Sequence, residues 1–151
     1  MHKLNHLFNQ FEAQVVDYTK SNTEVSAGNI GWHMVHSCLV IDSVIGSVLK
    51  SNPSIFKKKF SFKAFMVLLI NQFPRGRAKA PSFTVPPNDQ STASILNHIK
   101  VSRTNLEALL KAHKNQYFTH PIFSELNKKD TIRFLYVHTY HHYKIIKDIL
   151  K

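Results

Sequence analysis

From Asn127 to Lys151 the apolar residues recur in steps of three and four, a period that fits a helix with one buried stripe. The stripe runs Leu135, His138, His142, Ile145, Ile149. Two of its positions therefore hold histidine where a core takes Leu or Ile. Side chains four apart on a helix stack on one face, so His138 and His142 point inward together. A desolvated imidazole needs partners for its ring nitrogens. Bonds to backbone carbonyls or to each other would supply them, and so would a shared metal ion. A catalytic divalent ion takes about three protein ligands and keeps one position open, so the metal reading requires a third ligand elsewhere. His141 falls off the stripe and is expected outward or on a flank.

That third candidate comes from the second helix, predicted from about Ile30 to Lys50 with N-cap candidates in Ser26-Ala27-Gly28-Asn29. Its face includes Trp32, Val35, His36, Leu39, Val40 and Val48. His36 is thus a third histidine set in an apolar stripe, with His33 and Ser37 expected on its flank. A lone inward histidine is an ordinary core group. Three of them on two helices are costly to desolvate without a common partner, and a metal would satisfy them together.

The remaining segments point to helices. Leu4, Phe8, Phe11, Val15 and Tyr18, widened by Leu7, predict a helix from Leu4 to roughly Lys20. Phe60 to Gln72 is apolar without a clear period, and its length and neighbours favour helix. Asp89 to about His113 predicts another, with Ile95, Leu96, Ile99, Leu106, Leu109 and Leu110 inward. Phe73 to Asn88 carries Pro74, Pro81, Pro86 and Pro87 and is read as a long loop. Tyr117 to Leu126 is read as a connector. Asn127 caps the last helix, with Asp130 three residues on in the manner of a capping box. Strand patterns are weak. The expected class is all-α, an up-and-down four-helix bundle with extra helical turns and a long Pro/Arg-containing loop, in one domain over residues 1–151.

Composition narrows the function classes. The chain of 151 residues is long enough for one real core. With 4 glycines and no GxGxxG or GxxxxGK[ST] pattern, a phosphate-cradling loop is not expected. No apolar run reads as membrane-spanning and no signal-peptide core is visible, which sets a soluble, cytoplasmic protein as the expectation. One cysteine, Cys38, excludes an internal disulfide and reads as a buried, inert thiol. The formal charge of +11 attracts anions, nucleic acid among them, although the basic residues lie in short scattered clusters and no nucleic-acid motif accompanies them. One cluster, Arg75-Gly76-Arg77-Ala78-Lys79, sits in the long loop. Arg75, Arg77 and Lys79 are candidate contacts for a substrate anion, against the plainer reading of a solvated connector.

Four motifs occur in order: Gly31-Trp32-His33-Met34-Val35-His36-Ser37, Phe73-Pro74-Arg75-Gly76-Arg77-Ala78-Lys79-Ala80-Pro81, His120-Pro121-Ile122-Phe123, and Tyr136-Val137-His138-Thr139-Tyr140-His141-His142. Together the motifs, spread over nearly the whole chain, resemble those of the DinB-like (YfiT-like) metal-binding four-helix bundles. The resemblance implies a mononuclear centre with three histidine ligands, one in a Trp-x-x-x-His setting and two as His-x-x-x-His. By position these are His36, His138 and His142. Relatives of that kind include thiol-dependent transferases and an isomerase, and dimers are common among them, so a homodimer is one expectation. Where the usual pattern has Gly and Thr, this chain has Ser124 and Asn127.

Three imidazoles suit zinc or nickel, with iron and copper as further candidates. They leave the ion's full charge in place, which suits an anionic substrate or a thiolate. The His-Glu-x-x-His arrangement of zinc peptidases is missing. Asp42, Asp148 and Glu12 lie off the ligand stripes, so no dedicated carboxylate base is visible. Tyr140 and His141 are candidate proton donors, with ordinary packing the plainer reading. The expectation is a metal-dependent transferase or hydrolase acting on a small thiol or anion. A non-catalytic metal-binding or stress-response protein is the alternative.

Overall fold

The computed structural model describes residues 2–58, 61–70, 73 and 80–151. Among them are the helices α1 (His2–Gln14), α2 (Ile30–Lys50), α3 (Phe62–Ile70), α4 (Thr92–Lys111) and α5 (Lys128–Ile149). A two-stranded hairpin, β1 (Tyr117–His120) and β2 (Ser124–Asn127), stands between α4 and α5. The protein is therefore mostly helical but not all-α. The stretch expected as a connector is an antiparallel pair with Phe118 opposite Leu126 and His120 opposite Ser124.

Local chemistry sets the helix boundaries. Asn29 Oδ1 accepts Trp32 N–H at 2.7 Å and starts α2. Ser51 ends it, with its hydroxyl donating to Val48 O at 2.6 Å. Ser91 and Ser94 cap α4 reciprocally, each side chain accepting the other's backbone N–H. Asn127 Oδ1 accepts Asp130 N–H at 2.9 Å at the start of α5. The first helix is shorter than its apolar period predicted: α1 stops at Gln14, and a 3-10 turn over Val15–Asp17 carries Val15 inward.

The apolar stripes set the packing. α2 is the central element, packed against α4 and α5, with α1 spanning α5 and α4. Phe8 and Phe11 from α1, Ile41 and Ile45 from α2, and Leu135 from α5 are sealed from solvent. Burial of each such side chain is worth roughly 1.5–3 kcal/mol. Leu96, expected inward, is 39% exposed at the outer edge of α4. By length and composition α2 is apolar enough to cross a bilayer, contrary to the sequence expectation. Its most apolar window is 61% buried inside the protein.

One polar knot inside this core is matched. Asp42 Oδ1 accepts from Ser102 Oγ at 2.9 Å and Asn105 Nδ2 at 2.8 Å, joining α2 to α4. Burial pushes the Asp42 carboxyl up, and these two donors work against that shift. Cys38 is buried beside this knot, and burial raises its thiol to about 12, as expected for an inert cysteine.

In the hairpin, His120 closes the turn. Its Nδ1 accepts N–H from Ile122 at 3.0 Å and Phe123 at 3.3 Å, and its ring stacks on Phe123 at 4.3 Å. Ser124 follows with φ 62°, in the left-handed region that favours glycine. That turn aims Phe123 and Leu126 into the core.

Candidate metal centre

Two elements bring the site together. α2 carries His36, and α5 carries His138 and His142 one turn apart. Ring centroids are 4.7 Å apart for His36–His142 and His138–His142, and 5.3 Å for His36–His138. Each ring offers one nitrogen, and these three atoms lie within 4.8 Å of one another. Tetrahedral bonds of about 2.0–2.1 Å set donors roughly 3.3 Å apart, so small ring rotations bring the trio to coordination distance.

The second nitrogens show which way the rings are held. His36 Nδ1 donates to the Thr84 carbonyl at 2.7 Å, because a carbonyl only accepts. His36 Nε2 is then a lone pair. His142 Nδ1 lies 2.9 Å from His33 Nδ1, and His33 Nε2 lies 3.0 Å from Ser26 Oγ. His138 as a whole is half-buried, but its Nδ1 is sealed from solvent and has no hydrogen-bond partner among the described residues. The ring that meets His36 and His142 thus carries an orphaned buried nitrogen, and a polar group left unpaired in a core calls for a partner such as a metal ion.

Electrostatics agree with neutral ligands. Desolvation holds His142 well below its usual value, and His138, His36, His33 and His141 press it the same way. Desolvation does the same to His138, helped by His36, His141 and His120. His36 is lowered by burial, partly offset by its bond to Thr84. Among the described residues, the titratable neighbours that act on His138 and His142 are histidines, with no carboxylate among them. All three rings are thus uncharged at neutral pH, the state a metal requires.

Aromatic rings wall the cluster. Trp32 stacks on His36 at 4.8 Å and 12°, and meets His33 edge-on at 5.1 Å. Phe73 and Phe134 each lie 6.0 Å from His138. A cleft of about 450 Å³ lined by Lys58, Glu125 and Arg133 opens elsewhere, and none of the three histidines lines it.

The three histidines expected from the stripes therefore meet. Arg75, Arg77 and Lys79, expected to bind an anion, lie outside the described residues. His33 and Ser37 are a correction: both are buried, not flanking, at 2% and 0% exposure. His141 is half-buried and contacts the rings of His142 and Phe73. Tyr140 stacks on Tyr136 in a groove it shares with His2 and His6 of α1. Two partners were not foreseen, His33 and the Thr84 carbonyl. Thr84 sits on a 3-10 turn, Ser82–Thr84, within the stretch expected as loop.

Fold and site together define a mostly helical protein with a largely buried cluster of neutral histidines shared by its central and last helices. A family model matches residues 2–148, and the family is described as a protein of unknown function (DUF1569). The match covers nearly the whole chain, and the protein belongs to that family. No curated protein and no solved structure matches it.

Proposed function

We propose that the protein binds one divalent metal ion, zinc or nickel, through His36, His138 and His142, and that it is a metal-dependent enzyme of the DinB-like type. On this reading α1, α2, α4 and α5 are the bundle. The reaction is a transfer or hydrolysis on a small thiol or anionic compound. The observation that carries the metal reading is the convergence of one ring nitrogen from each histidine to within 4.8 Å of the others, and it is supported by the His138 Nδ1 atom, buried and without a partner among the described residues. Bound there, a divalent ion would acidify a water or thiol at its open position. Thr84 holds the His36 ring, and Trp32 and Phe73 shield the cluster from bulk water. The overall charge of +11 favours an anionic substrate.

A second reading, metal binding without catalysis, is favoured by the lack, among the described residues, of a carboxylate that acts on His138 and His142. Elemental analysis tests the ion that both readings share. Purified protein is expected to hold about one divalent ion per chain, and His138→Ala to lose it. Wild-type protein without stoichiometric metal after incubation with zinc or nickel would falsify both readings. Turnover of small thiols by the loaded protein then distinguishes the enzyme from the binding protein.

A further inference from the structure

The row of polar groups behind His142 extends two residues beyond the ligand, and the role assigned to it rests on the metal-binding reading. Ser26 Oγ accepts Gly28 N–H at 3.2 Å and meets His33 Nε2 at 3.0 Å. His33 Nδ1 meets His142 Nδ1 at 2.9 Å. Two ring nitrogens at that distance share one proton, so the row has two proton arrangements of equal charge. In the first, His142 donates Nδ1–H to His33, and His33 donates Nε2–H to Ser26 Oγ. His142 Nε2 then carries a lone pair. In the second, Ser26 O–H donates to His33 Nε2 and His33 Nδ1–H donates to His142. The His142 proton then sits on Nε2, where it blocks coordination.

We infer that His33, backed by Ser26, is a positioning residue for the metal centre: it accepts Nδ1–H from His142 and so presents His142 Nε2 to the ion. The Thr84 carbonyl treats His36 in the same way. His33 is 2% exposed, so bulk water does not stand in for it. Such outer partners fix the tautomer and ring orientation of a ligand, and their loss typically costs about 10–100-fold in metal affinity.

The test is zinc affinity, measured by competition with a chromophoric chelator, on the full chain. His33→Leu keeps bulk but removes the acceptor, and is expected to weaken zinc binding by about 10–100-fold. His33→Asn restores an amide oxygen near the lost Nδ1 and is expected to recover most of that affinity. Ser26→Ala is expected to fall between. Imidazole nitrogen-15 spectra of zinc-loaded wild type supply a readout that needs no variant: His142 protonated on Nδ1 and His33 on Nε2. Unchanged zinc affinity in His33→Leu, or a His142 proton on Nε2 in the loaded protein, overturns the inference and leaves the metal site standing. A wild-type chain that takes up no zinc removes the site and the inference together.

Discussion

Lowering the pH should unfold the metal-free protein early, and the histidine cluster sets how steeply. His36, His138 and His142 are held below their ordinary value when folded, chiefly by desolvation. Unfolded, each returns to about 6.5. As pH falls below that value, the unfolded chain binds protons that the folded chain refuses. Stability is therefore full above about 6.5 and declines as the solution is acidified. Between pH 7 and 5.5, a histidine that stays neutral in the fold costs about 1.2 kcal/mol. His138 and His142 together give about 2.5 kcal/mol, rising toward roughly 4 with His36, against a total of about 5–15 for a domain. His120, lowered to about 4 by burial, adds in the same direction. Asp42 is raised by burial and acts in the opposite sense at lower pH. The assay is urea unfolding in chelator at several pH values, read by circular dichroism and by Trp32 fluorescence. His138→Leu and His142→Leu should each flatten the profile by roughly one group's share. A metal-free stability constant to within about 1 kcal/mol from pH 7 to 5.5 would refute the reasoning.

Single residues carry four further predictions. Cys38 should resist thiol reagents in the native protein and react once per chain in denaturant, since burial holds its thiol at about 12; rapid native labelling would contradict this. Phe11→Ala, at a side chain with no exposure, should cost about 3–5 kcal/mol in chemical denaturation. Ser124→Gly should stabilise by up to about 1 kcal/mol, because φ 62° strains any side chain, and a lower unfolding midpoint would count against it. Trp32, the chain's single tryptophan, stacks on His36, so its fluorescence should be quenched saturably by about one equivalent of nickel, and not in His142→Ala.

What the sequence made legible was the periodic part. His36, His138 and His142 stand in apolar stripes, and helical spacing alone aims them inward. His33 was misplaced because a single stripe was assigned to α2. Ile30, Met34, Cys38, Ile41 and Ile45 make that helix apolar on its other side as well, and it is buried nearly all round. On such a helix a flank position is also an inside position, and that breadth was the available signal. The hairpin was missed because each strand has four residues, too short for alternation to stand out against the neighbouring helices. Its marks were Tyr117 and Phe118 on one side and a glycine-favouring position at Ser124 on the other. Leu96 shares the spacing of α4's stripe but lies at its edge. Thr84 acts through its backbone carbonyl, which no side-chain pattern encodes.

X-ray absorption on the zinc-loaded protein addresses the shared ion most directly, because it counts the rings around the metal. Three imidazoles at about 2.0–2.1 Å are the expected result, and His138→Ala, which loses the ion, should show no imidazole shell around zinc. A shell of oxygen with one ring or none, unchanged by that substitution, would mean that His36, His138 and His142 do not hold a common ion.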